Sequence, residues 1–211
     1  FRGLESGSYL QVSDSGYRGV MVHYRCHDVR INTKGEQPVI FAESGANLGT
    51  VSRQASLRGV SGFEWANSIP GTVGGAVYGN AGAHGTDVSK CLLTAEVLTK
   101  AAGEQNLDSE GMGYMYRSSS FKRDAEEVVI MSAKFCGTKV EPALSMRLLE
   151  ELTEKRRQTQ PVGPSFGSTF KNPKGDYAGR LLEAAGMKGV SSGCASFSTR
   201  HANFILNDGE A

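Results

Sequence analysis

Apolar and β-branched residues are concentrated in short runs separated by polar and glycine-rich segments. Four runs cover Gly19–Tyr24, Pro38–Glu43, Leu92–Thr99 and Glu127–Phe135. Runs of this length and composition are typical of strands. A further strand is predicted near the end of the chain, over His201–Asn207. The alternation of these runs with helical patterns predicts a mixed α and β protein.

Two helices are predicted from their end signals. Asn47 has the side chain of an N-cap, and Gly59 suits the first residue after a helix end. Asp176 is the predicted cap of a later helix that ends at Gly186. The residues of that helix expected to face inward are Leu181, Leu182 and Ala185.

A longer helix is predicted to begin at Pro142 and to end before Pro161, because proline is tolerated only in the first turn of a helix. Its apolar residues recur at helical spacing and are expected to form its buried stripe: Leu144, Leu148, Leu149 and Leu152. The segment Gly137–Val140 is the best candidate for a hinge between the two parts of the chain.

The composition excludes several classes of protein. The 211 residues carry a net charge of +1, which argues against a nucleic-acid partner held mainly by electrostatics. No apolar run reaches the roughly 18 residues of a membrane span. The chain begins with Phe1 and has no signal-peptide layout, so we expect an interior segment of a cytoplasmic protein. The cysteines lack metal-ligand spacing and are expected to be reduced thiols without a metal: Cys26, Cys91, Cys136 and Cys194.

The most informative segment is Ser68–Gly82, in which glycines are closely spaced. Missing side chains allow a flat ring system to approach the backbone, and exposed amides can bind phosphate. The segment does not match a P-loop or the dinucleotide fingerprint G-x-G-x-x-G. A tight glycine-rich turn without a ligand is the alternative.

Two other segments carry candidate chemistry. In Pro164–Pro173, small residues surround Ser168, and Lys171 follows closely; the alternative is an ordinary Ser/Thr-rich turn. In Tyr116–Lys122, Arg117 lies beside a tyrosine and three serines, which suits a clamp for carboxylate or phosphate. A solvated loop is the alternative there.

Taken together and in order, the motifs of this chain resemble the UDP-N-acetylenolpyruvoylglucosamine reductase (MurB) family. The matching segments are Gly62-Phe-Glu64, Ile69-Pro-Gly-Thr-Val-Gly-Gly75, Asn80-Ala-Gly82, Tyr116-Arg-Ser118, Gln160-Pro161, Gly167-Ser-Thr-Phe-Lys-Asn-Pro173 and His201-Ala-Asn-Phe204. The short interval between Arg117 and Ser168 resembles the shorter, type II-like form of the family.

The resemblance implies an α+β fold, with FAD bound by two lobes of the vanillyl-alcohol-oxidase (PCMH) type and a third lobe for the substrate. It implies lobes at 1–24, 25–137 and 138–211, with the first and last incomplete. NADPH reduces the flavin, and the reduced flavin gives hydride to the enolpyruvyl sugar nucleotide during peptidoglycan precursor synthesis. We expect no nucleic-acid or membrane partner and a monomer, with an oligomer as the alternative.

The resemblance also implies residue roles. Arg117 stabilises the enolate-like charge, and Ser168 protonates the substrate. The residues expected to bind the substrate are Tyr116, Arg156, Lys171 and Asn172. The residues expected to bind FAD are Gly7, Ser8, Pro70, Gly71, Thr72, Gly74, Gly75, Asn80, Ala81 and Gly82. The family's catalytic glutamate lies beyond Ala211, and Glu210 does not occupy its position.

The chain departs from the family at the loop that wraps the FAD pyrophosphate. Glu5 and Tyr9 stand where the family has a small residue and Asn. A carboxylate near a pyrophosphate is repulsive. The alternative function is therefore an inactive relative with weakened or lost FAD binding that serves as a scaffold in a larger assembly. A different oxidoreductase on the same fold is the third alternative, disfavoured by the family-specific segment around Ser168.

Overall fold

The computed structural model describes residues 2–4, 6–8 and 10–209. The chain forms two compact units. The first contains Phe1–Gly7 and Tyr17–Thr153, and the second contains Ser8–Gly16 and Glu154–Ala211. The lobe boundaries implied by the resemblance stay a prediction, because division by compactness is a different criterion.

The first unit is built on a five-stranded antiparallel sheet with the order β3-β4-β10-β8-β9. Smaller sheets pair β1 with β2, β5 with β11 and β6 with β7. The strands are β1 (Arg2–Leu4), β2 (Met21–His23), β3 (Val29–Asn32), β4 (Val39–Glu43), β5 (Val60–Ser61), β6 (Gly82–Ala83), β7 (Thr86–Asp87), β8 (Leu92–Thr99), β9 (Gly103–Leu107), β10 (Val128–Cys136) and β11 (Thr138–Lys139). The helices are α1 (Leu48–Leu57), α2 (Val73–Gly79), α3 (Ser120–Arg123) and the first part of α4 (Pro142–Thr159), whose residues from Glu154 onward belong to the second unit. There are 3₁₀ turns at Glu64–Ala66 and Val88–Lys90.

The core of this unit lies between the sheet and the helices α1 and α2. β4 alternates between buried and half-buried positions, as expected for a strand with one face toward the core. Side chains from strand and helices are fully buried together: Ile40, Ala42, Val51, Ala55, Val73 and Val77. Burying each larger aliphatic side chain contributes about 1.5–3 kcal/mol, so this layer stabilises the part of the chain that carries the glycine-rich segment.

The predicted strands are confirmed in place, with shorter bounds in β2. The helix predicted after Asn47 is also confirmed. The Asn47 side chain accepts a hydrogen bond from the Thr50 amide at 2.9 Å, and Gly59 follows the C-cap with a φ of 70°. These are the N-cap and C′ roles for which the two residues were selected.

The long helix is confirmed as α4, but its predicted stripe is only partly buried. Leu149 is buried, whereas Leu144 and Leu148 are exposed. This helix also makes a buried polar contact. The Ser145 hydroxyl donates to the Glu64 carboxylate at 2.6 Å, and both residues are buried. Glu64 also accepts from the Gly62 amide at 2.7 Å. Helical periodicity gives no sign of such a buried polar pair.

The second unit contains α5 (Ala178–Ala184) and a three-stranded antiparallel sheet of β12 (Ser191–Ser192), β13 (Ala195–Phe197) and β14 (Ile205–Asn207). The predicted strand over His201–Asn207 is too long, since residues 201–204 form a turn.

The helix α5 ends as predicted, because Gly186 follows the C-cap with a φ of 73°. The prediction that Asp176 caps it is wrong, since Tyr177 is the N-cap residue. Asp176 instead pairs with Arg180, whose hydrogen bond lowers the pKa of the carboxyl to about 2. Leu182 is half-buried, but Leu181 and Ala185 are exposed, so the predicted inward stripe is wrong at these two positions.

The residues Ser198–Phe204 form a tight segment, the 198–204 turn, between β13 and β14. The Ser198 hydroxyl accepts from the amides of Arg200 at 3.1 Å and His201 at 3.4 Å. The backbone amide of Asn203 donates to Nδ1 of His201 at 3.2 Å. The imidazole also packs edge-on against Phe204, with ring centroids 5.0 Å apart. The turn is thus held by side chains that accept backbone hydrogen bonds.

We expect acid to destabilise the protein through His201. Burial lowers the pKa of this imidazole from its ordinary value of 6.5, and a ring protonated at Nδ1 cannot accept the Asn203 amide. Because the unfolded state then binds the proton first, stability falls as pH drops from 6.5 toward the folded-state pKa. Urea unfolding between neutral pH and pH about 5 should show a shallower pH dependence in His201→Gln than in the unmodified protein. Equal slopes would contradict this role.

Candidate functional site

The glycine-rich segment, residues 71–82, is not the continuous loop that the sequence predicted. Val73–Gly79 is the helix α2, and the extended Thr72 precedes it. Val73 and Val77 are fully buried against the sheet. Their burial outweighs the helix cost of the neighbouring glycines, which is about 1 kcal/mol each. Tertiary packing, which local propensity does not reveal, decides the conformation.

Two amides at the start of α2 are used inside the protein. Val73 donates to the carbonyl oxygen of Ala46, and Gly74 donates to that of Ser44, both at 2.9 Å. The prediction that exposed amides of this segment form a phosphate cradle is therefore wrong for these two residues. Gly74 itself is buried, whereas Gly75 lies on the exposed side of the helix.

Thr72 is the residue of this segment that best fits contact with a ligand. Its hydroxyl is buried and has no hydrogen-bond partner among the residues that the structure describes. Leaving a buried hydroxyl unpaired costs about 1–3 kcal/mol, so a ligand atom as its partner would remove a real penalty. Within the same part of the chain, the other unpaired buried groups are those of Ser56, Trp65 and Thr169.

Asn80 ends α2 and connects it to two other segments. The residue is 2% exposed and has left-handed backbone angles, with φ 48° and ψ 59°. Its side-chain amide donates to the Met115 carbonyl at 3.0 Å, and its side-chain oxygen accepts from the Ser89 amide at 3.0 Å. Both ends of the side chain are therefore paired, as a buried amide requires.

Arg117 is brought directly to the end of the glycine-rich segment. Its guanidinium group donates to the carbonyl oxygens of Gly82 and Asn80. The charged carbon lies 5.0 Å from the ring centre of Tyr116, which is half exposed. Arg117 has a φ of 55°, an uncommon angle for a residue with a side chain.

The paired strand β7 explains why Gly82 lacks a side chain. A Cβ at this position would collide with the backbone carbonyl oxygen of Thr86 and would lie 2.6 Å from the Cβ of Asp87, with Nη1 of Arg117 at 2.9 Å. The structure therefore brings together the predicted residues Asn80, Gly82, Tyr116 and Arg117. Ala81 lies between them and pairs through its backbone with Ala76 and Val88.

The remaining residues predicted to bind the cofactor are Gly7, Ser8, Pro70 and Gly71. Gly7 and Gly71 both have positive φ angles, 69° and 123°. Among the described residues, the atom nearest to a Cβ at Gly71 would be the Ser6 hydroxyl oxygen, at 3.9 Å. Glu5 and Tyr9 lie outside the described residues, as does Glu210, and the predicted repulsion by Glu5 stays a prediction.

In the second unit, the Ser168 segment is tied to the 198–204 turn. Ser168 forms an isolated antiparallel bridge with Phe204, and the Thr169 amide donates to the Asn203 carbonyl at 2.8 Å. Ser168 and Lys171 are both exposed. The segment thus has a fixed backbone and an exposed serine, and the choice between a site and an ordinary Ser/Thr-rich turn stays a prediction.

Asn203 is a residue that sequence reasoning missed. Its side-chain oxygen accepts from the Phe170 amide at 2.9 Å, and its side-chain nitrogen donates to the Phe170 carbonyl at 2.8 Å. In the sequence, Asn203 is marked only by its place in the motif His201-Ala-Asn-Phe204. An asparagine between apolar neighbours carries no chemistry by itself, so its partner could be found only in three dimensions.

The other predicted substrate residues lie on either side of this segment. Asn172 is exposed, but its side-chain oxygen accepts from the Ala178 amide at 3.0 Å and so caps the start of α5. Arg156 is half-buried in the last turn of α4. The end of that helix is held by Arg200, which donates to the carbonyls of Arg157 at 3.1 Å and Gln160 at 3.4 Å. The 198–204 turn therefore contacts both the serine segment and the end of α4.

Other chemistry receives no support from the structure. The four cysteines are free thiols, as predicted, and burial raises the pKa of Cys91 to about 12. Among residues 2–4, 6–8 and 10–209, no group of three His, Cys, Asp or Glu side chains could hold a metal ion. Nor does that part of the chain contain a helix with the length and hydrophobicity needed to cross a bilayer.

Comparison with known proteins accounts for both units. Residues 2–106 match a family model described as an FAD binding domain. Residues 158–211 match the model of the UDP-N-acetylenolpyruvoylglucosamine reductase C-terminal domain. The second match contains Ser168, Lys171, Asn172 and Asn203.

Named relatives extend the match over nearly the whole chain. The UDP-N-acetylenolpyruvoylglucosamine reductase of Chloroflexus aurantiacus is 38% identical over 208 residues, covering 97% of this chain and 70% of that protein. The Synechococcus sp. enzyme of the same name is 41% identical, covering 100% and 69%. The crystal structure of UDP-N-acetylenolpyruvylglucosamine reductase (MurB) from Thermus caldophilus aligns with a TM-score of 0.85 at 31% identity, covering 100% of this chain and 75% of that one. The chain belongs to the UDP-N-acetylenolpyruvoylglucosamine reductase family.

Proposed function

We propose that this chain reduces UDP-N-acetylenolpyruvoylglucosamine to UDP-N-acetylmuramate, using FAD and NADPH, in peptidoglycan precursor synthesis. The observation that carries the proposal is the 38% identity to a reductase of that name over 97% of the chain. It agrees with the FAD-binding fold, with the contacts of Arg117 at Asn80 and Gly82, and with the hydrogen-bonded segment around Ser168. The substrate is accordingly a sugar nucleotide.

The residues of the first unit fit a flavin nucleotide. The unpaired buried hydroxyl of Thr72 suits a polar group of the cofactor. A Cβ at Gly79 would meet no atom of the described residues within 4 Å, which favours close approach of a ligand to the backbone there. We assign FAD contact to this face of α2 and to its flanking residues Pro70, Gly71 and Asn80–Gly82, with Gly7 and Ser8 from the start of the chain. When bound, FAD supplies the hydride that it has taken from NADPH.

Gly75→Val should reduce FAD binding about tenfold or more, since forcing a branched side chain into a close contact costs about 1–3 kcal/mol. Gly75 is exposed on α2, so the substitution does not disturb the core as Gly74→Val would. Visible flavin absorbance of the purified full-length protein and titration of the apoprotein with FAD measure the effect.

The matched control is Arg53→Val, which places the same side chain on an exposed position of α1. It should retain the flavin content of the unmodified protein. Equal flavin content in Gly75→Val would exclude α2 from the cofactor site.

Arg117 is assigned to the substrate carboxylate. Of the five N–H donors of a guanidinium, the contacts with Asn80 and Gly82 use two. These contacts fix the planar group, and the remaining donors and the positive charge stabilise the negative charge that develops on the carboxylate during reduction. A preorganised donor of this kind contributes more than one that must reorient.

Arg117→Ala should slow flavin reoxidation by the substrate on the order of a hundredfold, the scale for losing one such donor. NADPH reduction of the flavin should be largely unchanged. Arg117→Lys keeps the charge without the planar fork and should be intermediate. Stopped-flow absorbance separates the two half-reactions, with Arg123→Ala, an exposed arginine of α3, as the control. Slowing confined to the NADPH step would contradict the assignment.

Ser168 is assigned as the proton donor to the α-carbon of the substrate. Its exposure and fixed backbone allow it to present the hydroxyl to a ligand. Serine is a weak acid, so the alkoxide-like state needs positive charge nearby, and Lys171 lies three residues away. We assign Lys171, together with Arg156, Tyr116 and Asn172, to the binding of the substrate.

Ser168→Ala should lower the rate of substrate reduction by roughly a hundred- to ten-thousandfold, the range for a general acid. Ser168→Cys keeps a proton donor and should retain more activity. The matched control is Ser165→Ala in the same segment, where the hydroxyl only accepts from the Gly167 amide at 3.4 Å. An unchanged rate in Ser168→Ala would remove Ser168 from the mechanism.

A further inference from the structure

We propose that Asn203 is a positioning residue that fixes the hydroxyl of Ser168 for proton transfer. The proposal rests on the role of Ser168 given above. Asn203 is itself no catalytic residue, because its side chain binds the backbone of Phe170 and acts through that backbone.

Asn203 and its neighbour Phe204 together hold three consecutive residues. Its side chain pairs with both the amide and the carbonyl of Phe170, at 2.9 and 2.8 Å. Its own carbonyl accepts from the Thr169 amide at 2.8 Å. The next residue, Phe204, bridges to Ser168. The backbone on the C-terminal side of the serine is thereby fixed at adjacent positions.

The pairing of the Asn203 side chain with the Phe170 backbone, the Asn203 clamp, requires an amide side chain. Asn203 is 3% exposed, so water cannot easily replace a lost partner. Asparagine has a donor and an acceptor on one planar group, which matches the two polar atoms of Phe170. Aspartate has no donor for the carbonyl, and alanine has neither group. A partner left unsatisfied in a buried place destabilises that arrangement.

Asn203 is in turn held in place by the 198–204 turn. Its backbone amide donates to Nδ1 of His201, and the Ser198 hydroxyl accepts from the backbone amides of Arg200 and His201. The clamp is therefore built on a rigid segment. General acid catalysis depends on the proton donor lying within hydrogen-bond reach of the reacting atom, and a shift of about 1 Å can cost on the order of a hundredfold in rate.

The test is a double-mutant cycle on the full-length holoenzyme with Asn203→Ala, Ser168→Ala and the double variant. Asn203→Ala should slow flavin reoxidation by the substrate about ten- to a hundredfold and leave NADPH reduction of the flavin unchanged. In the Ser168→Ala background the same substitution should add less than about threefold, because effects that act through one group are not additive. Independent, multiplicative losses would overturn the proposal.

Two further measurements keep the outcome decisive. Asn203→Asp keeps the size of the side chain and the acceptor for the Phe170 amide, so it replaces Asn203→Ala in the cycle if the alanine variant fails to fold. In Asn203→Ala, hydrogen exchange should show loss of protection at the Phe170 amide, which donates to the Asn203 side chain, and unchanged protection there would also overturn the proposal. Asn207→Ala is the matched control, since this exposed asparagine of β14 accepts only from the nearby Gly209 amide through its side chain.

Failure of the proposed function gives a different result. If Ser168→Ala alone reduces the substrate at the normal rate, the assignment of Ser168 is wrong. If Ser168→Ala is slow and Asn203→Ala reacts normally with intact flavin, only the positioning role is wrong.

Discussion

The first unit depends on one buried amide, the side chain of Asn80. It ends α2 with a left-handed residue and binds the backbone at Met115 and Ser89. The Asn80 carbonyl also accepts from Arg117. Asparagine adopts left-handed angles more readily than most residues, and a longer side chain would not fit the same two partners. Asn80 therefore links the glycine-rich helix to the Arg117 segment through both its backbone and its side chain. The hydroxyls of Tyr114 and Ser119 add to this link by donating to the carbonyls of Val77 at 2.9 Å and Tyr78 at 2.7 Å.

In the second unit, Asn203 makes the same kind of contact. There, too, a buried amide binds backbone atoms on a neighbouring segment, and the exposed Ser168 gains a fixed position. In both units the residue to which we assign chemistry, Arg117 or Ser168, is exposed or half-buried, while the asparagine beside it in space is buried and has hydrogen-bond partners at both ends of its side chain. This division has a physical reason. A functional group must reach its substrate, whereas a buried hydrogen bond between protein groups resists competition from water.

The elements that the sequence predicted well are those with strong local signals. β8 has the predicted bounds Leu92–Thr99, and the cap at Asn47 and the stop at Gly59 act as expected. Most of the wrong predictions involve tertiary contacts, whereas the Asp176 cap fails locally because its carboxylate pairs with Arg180. The helix α2 forms because valines pack on the sheet, and α4 is docked through Leu149 and Ser145 while Leu144 is exposed. Family resemblance selected Arg117 and Ser168, but Asn203 was beyond reach, since its importance lies in a partner 33 residues away in the chain.

The glycines near α2 serve more than one purpose, and the structure separates them. Gly82 is required by the protein itself, because a side chain there would collide with the Thr86 backbone and with Asp87. Gly74 is buried and its amide donates to the Ser44 carbonyl, so it is also structural. Gly75 is exposed, and a Cβ at Gly79 would meet no atom of the described residues within 4 Å. The glycines that the packing of the chain requires are therefore distinct from those that we assign to cofactor contact. Only the second group is expected to determine cofactor affinity directly.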